Sequence, residues 1–156
     1  MVVNEMTEKD CGAFLGSAFL GRLGCSLDDQ PYVVPIYFAY EPGYIYVLST
    51  FGRKVEWMRA NPKICVEVDE IANQSQWTSV IASGRYQELP EPEYTDERKH
   101  AEKLLGKHYH WWQNALGERQ LRVGDKLIDP LFYRICVDSM TGLRAVGESA
   151  ESGKVA

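Results

Sequence analysis

Residues 47–62 read V-L-S-T-F-G-R-K-V-E-W-M-R-A-N-P, and the rest of the chain can be read outward from them. Val47 and Leu48 bring a strand to its end at Ser49 and Thr50. Gly52 turns the chain, and a short helix opens with Arg53 and Lys54. Asn61-Pro62 stops that helix, because the residue before a proline disfavours helical geometry. Two cations in a first helical turn have the wrong sign, since the exposed N–H groups already make that end positive. A bound anion would reverse the penalty. Two hydroxyls (Ser49, Thr50), two cations (Arg53, Lys54) and a helix N-terminus therefore describe a phosphate site.

Upstream, Thr7 is a good N-cap, with Glu8 and Asp10 favourably placed in the first turn. Phe14, Leu15, Ala18 and Phe19 then recur at helical spacing until Gly21. Residues 22–27 read as a strand, Asp28-Asp29-Gln30 as a turn, and residues 32–40 as a β-rich run. Glu41-Pro42-Gly43 turns the chain into the strand that reaches Ser49. Downstream, residues 64–68 alternate apolar and acidic side chains, as a half-buried strand does. Residues 71–76 are polar and read as a loop. Residues 77–89 read as a long strand bent at Gly84. Residues 94–107 have helical composition, residues 131–137 form a strand, and residues 143–146 form another. Many short strands with few helices predict a mainly β fold, an antiparallel barrel closed or nearly closed on itself. One domain spans residues 1–147. The small, polar tail at 148–156 is expected to fray.

Composition narrows the function. The 156 residues carry 17 Lys and Arg against 22 Asp and Glu, a net charge of −5. That balance excludes a sequence-independent grip on nucleic acid, which needs a basic surface. Cys11, Cys25, Cys65 and Cys136 form no C-x-x-C pair, so no structural zinc spacing exists, and the thiols read as reduced and mostly buried. No apolar run is long enough to span a bilayer, and no signal-peptide pattern opens the chain. The expectation is a soluble cytoplasmic protein.

Two further stretches carry chemistry. Residues 31–40, P-Y-V-V-P-I-Y-F-A-Y, set Pro35 inside a strong strand. Proline cannot donate to a ladder, so it belongs at an edge or a break. Such a position leaves neighbouring backbone groups to a flat heterocycle, or to solvent on a protected edge strand. Trp77-Thr78-Ser79-Val80 offers a flat ring and a hydroxyl on one strand face, or a core tryptophan beside a surface serine.

In order, Gly21-Arg22-Leu23-Gly24, Pro31-Tyr32-Val33-Val34-Pro35-Ile36, Gly52-Arg53-Lys54, Asn61-Pro62 and Trp77-x-Ser79-Val80 with Gly84 resemble the flavin-binding split-barrel family. That family includes pyridoxamine 5′-phosphate oxidases and nitroimidazole-resistance proteins. The resemblance covers residues 5–146 and is strongest to the nitroimidazole-resistance branch. It implies a six-stranded antiparallel split barrel with a few flanking helices. It further implies a homodimer with FMN in clefts at the subunit interface. By position, the backbone at Val34, Pro35, Ile36 and Tyr37 would lie along the isoalloxazine ring. Ser49, Thr50, Arg53 and Lys54 would hold the phosphate. Trp77 and Ser79 would come from the other subunit or line the same cleft.

The implied activity is electron transfer from a reduced nicotinamide to a small organic acceptor through FMN. The alternative is a flavin or haem carrier without turnover, and a deazaflavin is a further candidate cofactor. Many nitroimidazole-resistance relatives carry a histidine where this chain has Leu48-Ser49-Thr50, so no histidine role transfers there. The Arg-rich C-terminal substrate motif of true pyridoxamine-phosphate oxidases is absent from residues 132–144, so the resemblance does not extend to vitamin B6 synthesis. His108 and His110, beside Trp111-Trp112, read as an aromatic cover over the barrel end or the cleft. Haem ligation is the other reading. His100 reads as part of a solvated helix face.

Overall fold

The computed structural model describes residues 1–107, 121–123, 126–128 and 130–147. Ten strands and three helices follow in order: β1 (Val2–Glu5), α1 (Glu8–Ser17), β2 (Leu20–Leu27), β3 (Gln30–Tyr37), β4 (Ala39–Glu41), β5 (Tyr44–Thr50), α2 (Arg53–Ala60), β6 (Lys63–Asn73), β7 (Gln76–Glu88), α3 (Thr95–Gly106), β8 (Leu121–Val123), β9 (Lys126–Ile128) and β10 (Pro130–Val146). Eight of these strands form one antiparallel sheet in the order β3-β2-β6-β7-β10-β5-β4, with β1 added along β10, and β8 pairs with β9.

The two ends of that order, β3 and β4, are one run of chain interrupted only at Phe38. One half of the run pairs with β2 and the other with β5. The sheet therefore returns to its starting strand, and six strands surround the core with a split where β3 leaves β5. The chain is a mainly β split barrel with flanking helices. The break at Phe38 is fixed by its N–H, which donates to the Phe19 carbonyl at 2.9 Å.

The interior follows from period-two alternation. Leu23, Cys25, Ile36, Val47, Val66, Val80 and Ile135 all point inward and are buried. Thr7 accepts the Asp10 N–H on Oγ1 at 3.1 Å, as an N-cap should, and Cys11 and Leu15 of α1 join the same core. A second cluster lies outside the barrel, where α3 covers Ala39, Tyr46, Leu48 and Phe132 with Ala101 and Leu105.

Several sequence expectations need correction. α1 stops at Ser17, so Phe19 lies beyond it, held by the Phe38 bond just described. Residues 71–76 are not a loop: β6 runs to Asn73 and β7 starts at Gln76, because backbone pairing continues (Ile71 with Trp77) whatever the side-chain polarity. β7 keeps register with β6 through Gly84, while its register with β10 shifts at that residue, Gly84 facing Val137 and Ser83 facing Ser139. The two C-terminal strands are one, with that irregularity inside it. His100 is exposed yet partnered, its Nε2 lying 2.7 Å from Glu41 Oε2. Burial pushes the Glu41 carboxyl up, but hydrogen bonds from His100 and Tyr46 outweigh it and hold the pKa below its ordinary value. The stability this adds is present at neutral pH and is lost as pH falls through the lowered pKa. All four cysteines are free, but only Cys11 and Cys25 are buried. His108, His110, Trp111, Trp112 and the 148–156 tail lie outside the described residues.

Tyr133 is fully buried, and its hydroxyl has no hydrogen-bond partner among the described residues. An unmade buried hydrogen bond costs about 1–3 kcal/mol. Tyr133→Phe is therefore expected to raise unfolding stability by about 1 kcal/mol, read from the denaturant midpoint. A loss of stability would reveal a partner for that hydroxyl.

Candidate functional site

The split between β3 and β5 is a cleft of about 190 Å³. Pro35, Ile36 and Tyr37 line one wall, Val47, Leu48, Ser49 and Thr50 the other, and Lys54 completes it. The β3 wall is an open strand edge. Antiparallel pairing sends alternate backbone groups to opposite edges. The Phe38–Phe19 bond, with the register Gly21 to Ile36 and Leu23 to Val34, commits the even-numbered residues of β3 to β2. Pro31, Val33, Pro35 and Tyr37 therefore aim their backbone groups away from β2. Pro31 and Pro35 sit on this edge at no cost, since neither has an N–H to lose.

The other wall ends at a helix start. β5 reaches Thr50, Gly52 caps α2 with no side-chain hydrogen bond, and the first intrahelical bond runs from Glu56 N–H to Gly52 carbonyl. The N–H groups of residues 53–55 have no partner within the helix, as at any helix start. Gly52 has open space around it. The hydroxyl of buried Ser49 donates to the Thr50 carbonyl at 3.2 Å. α2 is held by Val55 and Met58 in the core and by Asn61, whose Nδ2 donates to the Ser26 carbonyl at 3.0 Å. Arg59 also pairs with Glu88.

Lys54 is half-buried and makes no ion pair among the described residues. Burial pushes its ammonium below the ordinary lysine pKa, and the nearby Cys25 thiol opposes this only in part. A desolvated cation at an uncapped helix start is poorly served by the protein alone. It fits a ligand carrying a compact negative charge.

Six of the residues singled out from sequence thus meet in one cleft: Pro35, Ile36, Tyr37, Ser49, Thr50 and Lys54. Val34 turns its half-buried side chain toward the barrel core. Arg53 is exposed and does not line the cleft. Trp77 and Ser79 are not in this cleft within one chain. Ser79 lines a separate cavity of about 410 Å³ with Met6, Met140 and Leu143, and its hydroxyl donates to Glu67 Oε1 at 3.3 Å. Among the described residues no cluster of His, Cys, Asp and Glu could hold a metal. Phe19 was not foreseen as a neighbour of this site: its ring lies 6.4 Å from that of Tyr37, the planes only 7° apart. Its helical spacing from Leu15 concealed it.

Comparison with known proteins places the fold. Residues 7–144 match the family described as pyridoxamine 5′-phosphate oxidase. An uncharacterized protein of Rhizobium meliloti (strain 1021) is 38% identical over 146 residues, covering 93% of this chain and 97% of its own length. The crystal structure of a FAD-binding protein from Mesorhizobium loti aligns with a TM-score of 0.76 at 37% identity, over 94% of this chain and 99% of that one. A candidate 5-nitroimidazole antibiotic resistance protein from Bacteroides thetaiotaomicron aligns with a TM-score of 0.65 at 21% identity, over 94% and 93%, and that likeness speaks for the fold alone. Split barrel, open β3 edge and matched length agree: this chain belongs to the pyridoxamine 5′-phosphate oxidase family.

Proposed function

We propose that the cleft between β3 and β5 holds FMN, and that the protein uses it to pass electrons from a reduced nicotinamide to a small organic acceptor. The observation that carries this reading is Lys54, a half-buried cation without an ion-pair partner among the described residues, set at the uncapped start of α2 beside an open strand edge. Lys54, the α2 N–H groups, Ser49 and Thr50 would take the phosphate. The open β3 edge at Pro35 and Tyr37, within the Val34 to Tyr37 stretch, would face the ring. The bound flavin would supply the redox chemistry, and the protein would bind, orient and shield it.

A second copy is part of the proposal. A cleft of about 190 Å³ is smaller than the ~300–1,000 Å³ of ordinary small-molecule sites. Leu20, Val33 and Tyr37 on β2 and β3, and Ile81 and Leu143 on β7 and β10, are exposed apolar side chains, and exposed apolar surface of this kind can mark interaction sites. A homodimer would enlarge the cleft, with Trp77 and Ser79 contributed by the partner. Arg53 would reach the phosphate from the rim. The cytoplasm is the proposed location.

The purified protein should be yellow and should release FMN on denaturation, identified by chromatography. Release of FAD would match the FAD-binding protein of Mesorhizobium loti and would require room for an adenylate beyond Lys54. A protein that stays colourless when saturated with either flavin would end the proposal.

A carrier without turnover is the second reading. It is favoured by the cleft lining, which includes neither carboxylate nor imidazole among the described residues. Flavin-loaded protein that oxidises neither NADH nor NADPH with any acceptor would support it. A Soret band in place of flavin bands would point instead to haem.

A further inference from the structure

The phosphate end of the cleft is divided by a turn. Ser49 and Thr50 close β5 on one side, Lys54 and the first α2 N–H groups stand on the other, and Phe51 and Gly52 lie between. Gly52 offers no side-chain cap and has open space around it, so nothing at that residue holds the turn. Glycine also has the widest backbone freedom of any residue. A site divided in this way must order its turn on binding, unless the protein has ordered it beforehand. Phe51 is 49% exposed and belongs to neither buried cluster. Its ring is met instead by Arg59, whose guanidinium carbon lies 4.9 Å from the ring centroid. Arg59 stands in the last turn of α2, and helical side chains lean toward the N-terminus, here back toward Phe51.

The same guanidinium is forked onto Glu88, Nε donating to Oε1 and Nη2 to Oε2 at 3.2 Å. Glu88 is itself fixed. It accepts the Tyr86 hydroxyl on Oε1 at 2.7 Å, it ends β7, and the next residue, Leu89, is fully buried. The Arg59 hydrogen bond holds the Glu88 carboxyl below the usual carboxylate range, although burial opposes it. A lone exposed ion pair adds little stability. This one joins a rigid strand end to the ring of the turn, and a planar guanidinium suits both partners at once. We infer that Arg59 is a positioning residue for the phosphate end of the site. Clamped between Glu88 and Phe51, it holds the turn in the shape that sets Thr50 and the α2 N–H groups against one phosphate, and so favours flavins that carry one. Arg59 does not itself line the cleft. The inference rests on the flavin reading, since it concerns the phosphate of that cofactor.

The test titrates full-length apo protein with FMN and with its dephosphorylated form, riboflavin, and follows flavin fluorescence. Arg59→Met should weaken FMN binding at least fivefold while riboflavin affinity stays within twofold of wild type. Arg59→Lys keeps the charge without the planar fork and should fall with Arg59→Met. Phe51→Leu should lose FMN affinity in the same way, and the Arg59→Met, Phe51→Leu double variant should bind no worse than the weaker single one, as residues acting through one contact do. Phe51→Tyr keeps the ring and should keep the affinity. The Phe51 variants alter an exposed ring, so they carry the test if Arg59→Met does not fold. Unchanged FMN affinity in Arg59→Met and Phe51→Leu would overturn the inference. So would equal losses of FMN and riboflavin, which mark a general effect on the fold, or additive losses in the double variant. Full affinity in Arg59→Lys would overturn it too, by making the charge and not the brace the cause. All of these leave the flavin reading intact. A wild type that binds neither flavin, or binds both alike, would fail the underlying reading before any variant is made.

Discussion

Replacing Lys54 with methionine is expected to weaken FMN binding by about 10- to 150-fold, the equivalent of about 1.5–3 kcal/mol for one charge-assisted contact. The apo protein should not lose stability. Methionine keeps an unbranched apolar stem against the cleft wall and removes a half-buried charge that no carboxylate balances among the described residues. Titration of apo protein with FMN, followed by flavin fluorescence, gives the first quantity, and thermal unfolding gives the second. A large fall in apo melting temperature would make Lys54 a structural residue instead.

The pH dependence has a definite sign. The folded apo protein holds Lys54 below its ordinary pKa of about 10.4. Between the lowered value and the ordinary one, the unfolded chain binds more protons than the folded one, so apo stability rises with pH in that window. FMN affinity moves the other way and falls as pH climbs through the lowered value, because the dianion needs the ammonium. Partial solvent exposure reduces both effects without changing their direction.

The second large effect belongs to the scaffold. A Cβ on Gly84 would lie 2.2 Å from the Cys136 carbonyl oxygen and 2.9 Å from its carbonyl carbon. Both are backbone atoms of β10, so no side-chain rotation relieves the clash. Gly84→Ala is expected to cost about 3 kcal/mol or more, a large share of the ~5–15 kcal/mol that holds a domain of this kind together. The guanidinium midpoint should fall accordingly. Gly52→Ala is the control: nothing lies within 4 Å of its Cβ position, and stability should change by less than about 0.5 kcal/mol. A Gly84→Ala protein as stable as the parent would mean that β7 and β10 approach less closely than described.

These two residues also show how much the sequence could convey. The phosphate reading was available at residues 49–54 because it depends on local chemistry: hydroxyls, cations and a helix start within a few residues. The sequence could not separate Arg53 from Lys54. Successive residues leave a helix about 100° apart, and only the position of α2 against β2 and the cleft decides which cation is buried. Gly84 was visible as an anomaly in a strand, and the structure has there both a register shift against β10 and a close strand approach that sequence alone did not show.

The closure of the barrel was harder to see. Residues 31–40 are uniformly apolar or aromatic, so nothing local marks Phe38 as the place where the chain leaves β2 for β5. The break is set by a hydrogen bond to Phe19, far back along the chain just before β2 begins. Phe19 itself was hidden for the same reason, since its spacing from Leu15 fits a helix that stops two residues earlier. Polar residues 71–76 misled in the opposite sense. Their side chains face outward, and the strand is specified by backbone pairing across the sheet.

The most direct test is a comparison of FMN with riboflavin, which lacks the phosphate, on apo wild type and Lys54→Met. If the phosphate lies at Lys54 and the start of α2, the wild type binds FMN at least tenfold more tightly than riboflavin, and Lys54→Met removes most of that preference. Equal affinity for the two flavins in the wild type, or a preference for FMN that survives intact in Lys54→Met, would contradict the account.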